Sequence, residues 1–184
     1  MESLENQLLV AMPSLKDPFF NKTVTYICEH NDQGAMGLII NIPVDISLGE
    51  LLSQFHEDPE ITSSLQDMVY SGGPVAPERG FVLHSPQDCW SSSLALSKDI
   101  MITTSKDILM ALGTDKQPEK YIIVLGYAGW EAGQLEQEIL DNSWLTTPAD
   151  SDIVFDIPFE RRWQKATEKM GIDVAHLSND VGHA

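Results

Sequence analysis

The stretch from residue 121 to residue 150 most constrains the fold of this chain. It begins with an apolar run over residues 121–125, the pattern of a strand buried inside a sheet. Gly126, Gly129 and Gly133 follow, and a helical pattern begins at about Gly133. A central strand that is joined to a helix by a glycine-rich turn predicts a domain that contains both sheet and helix.

Elsewhere the chain has many short strand-like segments and few helices. Residues 23–42 predict a β-hairpin, because a strand-like alternation is followed by a turn and a second strand. Ser47 and Glu50 form a capping box at the start of a short helix. Residues 158–171 carry apolar side chains at helical spacing. This mixture predicts an α/β or α+β domain and not a helical bundle.

The charge of the chain constrains its partners. Acidic residues outnumber basic ones 28 to 11, so the formal net charge is −17. The one basic cluster, Arg161, Arg162, Lys165 and Lys169, is interleaved with acids. Because nucleic-acid binding depends largely on Lys and Arg contacts to phosphate, we expect no direct binding to nucleic acid.

Length and the absence of targeting patterns suggest a location. The chain has 184 residues, enough for one domain over residues 1–184. It begins without a signal-peptide pattern, and no apolar run approaches the length of a membrane-spanning helix. With two cysteines expected as free thiols, the sequence predicts a cytoplasmic protein that does not enter a membrane.

Several blocks of the sequence occur in the order found in one bacterial family. They are residues 11–18, 26–30, 34–37, 72–75, 79–84, 103–107, 125–150, 162–163 and 182–184. In this combination the chain resembles the YqgE/AlgH family of bacterial cytosolic proteins, from about Gln7 to Ala184. The resemblance implies an α+β fold, with a mixed, largely antiparallel, bifurcated sheet rolled into a pseudo-barrel and flanked by helices. It also implies a role in transcriptional regulation, and it supplies no catalytic residue and no cofactor.

Three of these blocks hold most of the residues that could bind a ligand. The candidates are Cys28, His30, Gly72, Gly73, Arg79, His84, Gly126, Gly129, Trp130 and Glu131. The glycines after residue 125 could hold a phosphate on backbone N–H groups. Their spacing matches no dinucleotide-binding or P-loop motif, so we favour a tight turn packed under Trp130. Arg79 could clamp a carboxylate or phosphate, although an ion pair with one of the many acids is favoured.

Cysteine and histidine side chains form a second possible constellation. Strand alternation places Cys28 and His30 on one face, and His84 lies near Cys89 at the end of another strand. These four side chains together could bind zinc, but their spacings match no zinc motif. A buried cysteine beside a hydrogen-bonded histidine is therefore the favoured interpretation. A redox-active Cys28, whose pKa a protonated His30 would lower, stays open.

Acidic residues cluster after the glycines. They are Glu131, Glu136, Glu138 and Asp141. Paired carboxylates could bind Mg²⁺ or transfer protons, and Glu138 and Asp141 share a helix face. Because Leu135 and Ile139 supply the buried stripe, the acids are expected on the solvated face. We predict no catalytic residue, no metal site and no cofactor.

The leading hypothesis is a cytosolic protein without predicted enzymatic activity that affects transcription indirectly, by binding another protein or a small ligand. The alternative is a ligand-binding or enzymatic pocket for a small anionic molecule, built where residues 26–30, 72–84 and 126–133 converge. A structural subunit of an oligomer is a third possibility, and the sequence predicts no oligomeric state.

Overall fold

The computed structural model describes residues 2–15, 17–18, 20–54 and 66–171. The sequence block at 182–184 lies outside these residues. The described chain forms a largely antiparallel, ten-stranded sheet that curls into a half-barrel with a few helices. This confirms the predicted α+β class. Among the described helices, none has the length and apolar character needed to cross a bilayer.

Strands account for most of the regular structure. They are β1 (Gln7–Ala11), β2 (Val24–Asn31), β3 (Gly34–Ile39), β4 (Pro43–Ser47), β5 (Met68–Ser71), β6 (Val75–His84), β7 (Ser93–Ala95), β8 (Met101–Thr103), β9 (Tyr121–Glu131) and β10 (Trp144–Pro148). The helices are α1 (Leu48–Leu52), α2 (Lys106–Ala111), α3 (Gln134–Leu140) and α4 (Phe159–Lys169), with a π-helical turn at Asp152–Asp156.

The sheet branches at β9. Its main path runs β10-β1-β2-β3-β9-β6-β8-β7, and β4 and β5 lie off this path. β3 pairs with the C-terminal half of β9, at Ala35↔Trp130, and β5 pairs in parallel with the N-terminal half, at Val69↔Ile123. β6 pairs along the opposite edge of β9. The predicted bifurcation therefore arises because two strands share one edge of β9.

Apolar side chains form three buried clusters around this sheet. The largest cluster, which includes Tyr26, Leu83 and Val124, packs against Trp163 and Ala166 of α4. A second cluster lies under α1 and α2, and a third joins α3 to β2, β9 and β10. Each fully buried Leu or Ile contributes about 1.5–3 kcal/mol, so the short helices are held mainly by packing onto the sheet.

Several local predictions are confirmed. β2 and β3 form the hairpin. The Ser47 hydroxyl accepts a hydrogen bond of 3.2 Å from the Glu50 N–H at the start of α1. In α4, Trp163 and Ala166 are buried, as the apolar stripe indicated.

The glycine-rich segment differs from its prediction. β9 does not end at residue 125 but continues through Gly126 and Gly129 to Glu131. Gly133, with φ +77°, is the glycine that occupies the turn before α3. The turn predicted for Gly126 and Gly129 is wrong, because β6 pairs with Leu125 and Tyr127 and β3 pairs with residues 128–131, so the strand continues through both glycines.

Candidate functional site

Gly72, Gly73 and Gly126 come together, as the sequence hypothesis required. They do so by direct contact between two backbones. A Cβ on Gly72 would lie 2.3 Å from the Gly126 carbonyl oxygen, and one on Gly73 would lie 2.2 Å from the Tyr127 carbonyl carbon. Gly73 and Gly126 also adopt φ of +154° and +77°. These glycines are required for close packing, and the space beside them is filled by protein and not open to a phosphate.

Cys28 and His30 lie on opposite faces of β2, so the prediction of a shared face is wrong. The register changes between Ile27↔Gly37 and Glu29↔Met36, which marks a β-bulge at Cys28. A bulge adds one residue to the strand and therefore reverses the alternation beyond it. Cys28 packs into the cluster under α4, whereas His30 contacts Glu136 of α3.

Both ring nitrogens of His30 have hydrogen-bond partners. The Leu4 N–H donates to Nδ1 at 2.9 Å, so the ring proton lies on Nε2 and is donated to the Glu136 carboxylate. Ser3, Asp32 and Glu136 are among the residues that border a surface pocket of about 290 Å³ beside this pair. Because neither nitrogen is free, His30 is suited to fastening the N-terminal segment and not to binding a metal or abstracting a proton.

His84 is remote from His30. It lies opposite Tyr121 at one end of β9. His30 lies opposite Ala35 of β3, and Ala35 in turn lies opposite Trp130 near the other end of β9. At about 3.3 Å per residue, these ends are up to about 30 Å apart. The four residues considered for zinc are therefore not assembled. Among the described residues, no group of His, Cys, Asp and Glu could hold a metal ion.

His84 is fully buried and hydrogen bonded. Its Nδ1–H donates to the Ser85 carbonyl oxygen at 2.7 Å, and its Nε2 accepts from the Thr103 hydroxyl at 2.6 Å. Burial lowers its pKa, although the bond to Ser85 opposes the shift. The neutral ring is thus a core residue that joins β6 to β8.

The Cys28 thiol is unsuited to redox chemistry. It is buried, and its Sγ lies 3.8 Å from the Tyr26 carbonyl oxygen. Burial, helped by the nearby charge of Glu29, raises the pKa of Cys28 to about 12. The thiolate that redox reactions require is therefore nearly absent near neutral pH. Cys89 is exposed and lies on another part of the chain.

Glu138 holds two tryptophans together, a feature that the sequence reading missed. The indole N–H groups of Trp130 and Trp144 donate to the same carboxylate oxygen, at 3.2 and 3.0 Å. The two rings meet edge to face, with centroids 6.3 Å apart. Asp141, the presumed partner of Glu138, instead accepts a hydrogen bond from Gln137. Glu138 therefore organises the core at α3 and does not form a carboxylate pair with Asp141.

Arg79 makes no ion pair within the described part of the chain, contrary to the favoured expectation. Its guanidinium carbon lies 5.2 Å from the centre of the Phe81 ring. Arg79 also borders a groove of about 300 Å³ between β6, the end of β8 and the start of α2. Gly129 and Glu131 are exposed at the far half of β9, away from this groove. The ten candidate residues are thus divided among separate regions.

The basic cluster of α4 is engaged in internal contacts. Arg162 is 3% exposed and donates to the carbonyl oxygens of Ile157, at 2.9 Å, and Ile40. Burial lowers its pKa. Lys165 pairs with Glu168 at 3.3 Å, and Lys169 lies 3.6 Å from Asp150. Of the four cations, Arg161 is exposed and has no ion pair among the described residues.

Comparisons with known proteins agree on one family. The model of the AlgH-like family, DUF179, matches residues 8–175. A UPF0301 protein of Colwellia psychrerythraea is 61% identical, and one of Vibrio cholerae is 53% identical; the alignments cover 99–100% of this chain and all of each relative. The solution structure of AlgH from Pseudomonas aeruginosa superposes with a TM-score of 0.80 at 45% identity, covering 97% of this chain and 96% of that one. A Corynebacterium diphtheriae protein shares the fold, with a TM-score of 0.74 at 19% identity, covering 97% and 93%.

Proposed function

Because this chain belongs to the AlgH-like family, we propose that it is a cytoplasmic binding protein that affects transcription indirectly, through a bound partner. The regulatory role is the one that the family resemblance implies. The protein does not read DNA itself, and its influence passes through a protein or a small ligand that it binds.

The disposition of the α4 cations carries this proposal. Arg162 is buried against Ile40 and Ile157, and Lys165 and Lys169 face carboxylates. A DNA-binding helix needs these groups free to displace counterions from phosphate. With a formal net charge of −17, the remaining surface repels a polyanion.

The state of the reactive side chains also supports binding over catalysis. His30 and His84 have both ring nitrogens engaged, the Cys28 thiol is kept protonated, and Glu138 is occupied by two indoles. A general base needs an accessible nitrogen or oxygen beside its substrate. None of these four groups offers one.

A test can separate direct from indirect action. Two exposed or half-exposed cations, Arg161 and Lys165, are both reversed to Glu, and the variant is returned to a strain that lacks the protein. We expect the variant to restore the transcript profile as fully as the wild type does. Selection on a random pool of duplex DNA is run in parallel with the wild-type protein. A salt-sensitive, sequence-specific complex, or failure of the folded variant to restore the profile, would contradict the proposal.

A further inference from the structure

Part of the edge of β6 has no partner strand. β8 pairs with β6 from Val82↔Thr103 to His84↔Met101, and the chain then turns into α2. Along its other edge, β6 pairs with β9 at Val75 and again from Gly80 onward, and the register shifts between these two positions. In the described part of the chain, no strand continues the line of β8 beyond Thr103. The backbone groups of this edge are therefore available to an added strand.

The groove beside this edge, the β6 groove, has an apolar interior. It has a volume of about 300 Å³. Its apolar lining includes Leu51, Val82, Leu109, Ile123 and Leu125, and residues 78–81 of β6 also border it. These apolar residues belong to or pack against the cluster under α1 and α2. The interior can therefore receive an apolar side chain next to an edge that can bind a backbone.

Gly80 creates the space in the β6 groove. It lies opposite Leu125, and a Cβ at this position would meet nothing closer than the Leu125 Cδ2 atom at 3.8 Å. Gly72 differs, since the backbone of Gly126 excludes a side chain there. A glycine inside a strand is destabilising unless a bulge, a bend or the close approach of another group requires it. No neighbour in the described chain requires a glycine at position 80.

Two cations flank the β6 groove. Arg79 lies on β6 and Lys106 is the first residue of α2, and both are exposed without an ion pair among the described residues. Glu78 is the acid in the lining. The adjacent Asp107 lies outside the lining, and its carboxylate accepts hydrogen bonds from Ser91 and Ser105. The lining thus carries one more positive than negative charge, which in a chain of charge −17 favours a partner that carries acidic residues.

We propose that the β6 groove is the docking site for an extended segment of a partner protein. The segment adds as a strand along residues 78–81, continues the line of β8 and places one apolar side chain over Gly80. Acidic residues of the segment lie beside Arg79 and Lys106. This inference rests on the proposed binding function and adds the site and the chemistry of the partner.

The open backbone edge favours a peptide over a small amphipathic acid. An added strand satisfies the N–H and C=O groups of the edge and inserts alternate side chains into neighbouring pockets. A small acid could fill the apolar interior and contact the cations, but it would leave the edge unpaired. The shape of the site therefore matches an extended backbone that carries an apolar anchor.

The test uses a display library of random linear peptides and the full-length protein. We expect enrichment of peptides with one apolar residue flanked by Asp or Glu. Amide chemical shifts should change at residues 78–82 and 103–106 when such a peptide binds. The Gly80→Leu variant should bind at least about tenfold more weakly, because its side chain fills the interior. Gly129→Leu is the matched control, since a Cβ there meets only a side-chain atom at 3.8 Å.

Two further comparisons examine charge and backbone. Reversing Arg79 and Lys106 to Glu should weaken binding, whereas Lys98→Glu, at an exposed site on another loop, should not. N-methylation of the peptide should weaken binding, because it removes strand hydrogen bonds. Thermal melting verifies that Gly80→Leu is folded. A peptide whose apolar residue is replaced by Ala tests the same contact with the wild-type protein, and it should also bind more weakly.

If no peptides were enriched, or if the Gly80→Leu variant bound them as tightly as the wild type, the proposal that the β6 groove is a docking site would be wrong. Tolerance of N-methylation, or equal binding of octanoate in place of the peptide, would overturn strand addition. These results are independent of the DNA selection. A sequence-specific DNA complex would remove the proposed function and leave the peptide result standing, and loss of the peptide result would leave indirect action standing.

Discussion

The guanidinium of Arg162 lies 4.9 Å from the centre of the Tyr70 ring. It connects α4 to the sheet, because the same group donates to the carbonyl oxygens of Ile40 and Ile157. A cation taken from water into this position is stabilised by the two carbonyls and the ring face, without a carboxylate among these contacts. Arg162 is therefore a structural residue, although in the sequence it belongs to the basic cluster of α4.

Replacing Arg162 should therefore reduce stability and not merely surface charge. Arg162→Ala removes the donor from the buried carbonyl oxygen of Ile40 and the partly buried one of Ile157, and it removes the packing on Tyr70, so we expect a loss of about 2–4 kcal/mol in unfolding free energy. Arg162→Lys should recover part of it, because an ammonium cannot reproduce the planar fork. Urea unfolding measures the difference. The adjacent exposed Arg161→Ala is the control, and an equal loss there would refute the assignment.

Removing the Glu138 carboxylate should loosen the region around α3. In Glu138→Ala, two indole N–H groups lose their acceptor, and we expect a loss of about 2 kcal/mol in unfolding free energy. Glu138→Gln keeps an acceptor oxygen and should lose less. Near-ultraviolet circular dichroism should report the changed packing of Trp130 and Trp144. The exposed Glu131→Ala should leave both signals unaltered.

Cys28 should resist thiol reagents while the protein is folded. At pH 8, iodoacetamide should modify the exposed Cys89 first and Cys28 only after unfolding, as mass spectrometry can show. Because the folded pKa of Cys28, about 12, exceeds the unfolded value of about 8.5, its contribution to stability is complete below about pH 8.5. That contribution is lost as the pH rises toward 12. Cys28→Ala should flatten this alkaline decline.

His84 should make the stability of the protein depend on pH below neutrality. Burial lowers its pKa in the folded protein, so the unfolded chain binds a proton more readily. The contribution of the neutral ring is present above the unfolded pKa of about 6.5 and falls as the pH is lowered through that value. Urea unfolding between pH 7 and pH 5 should show a steeper decline in the wild type than in His84→Gln. Parallel declines would exclude His84 as the source.

Glycine substitutions should distinguish close packing from open space. Gly73→Ala should cost well over 1 kcal/mol, because φ is +154° and the new Cβ would collide with the Tyr127 backbone. Gly80→Ala should be neutral or stabilising by about 0.5–1 kcal/mol, since the strand gains a side chain without a clash. Thermal melting measures both. A large loss in Gly80→Ala would show that the space at position 80 is needed by the fold itself.

Sequence patterns that extend over a few neighbouring residues correctly predicted several local elements of the structure. The β2–β3 hairpin, the Ser47 cap and the apolar stripe of α4 each depend on local turn chemistry or helical spacing, and each is present. The ordered blocks also identified the family and its branched sheet. Local interactions are encoded within one segment, so they can be read without knowledge of the partners.

Relationships between distant segments required the tertiary structure. The bulge at Cys28 moved His30 to the opposite face, and pairing with β6 and β3 continued strand β9 through Gly126 and Gly129. β10 was not predicted, and the bond from Trp144 to Glu138 depends on its position at the sheet edge. The sequence alone indicated a domain of sheet and helix through local periodicity and an acidic chain through composition, and the resemblance of its ordered blocks implied the α+β class. Which side chains meet was decided by strand register, since a shift of one residue reverses every face that follows it.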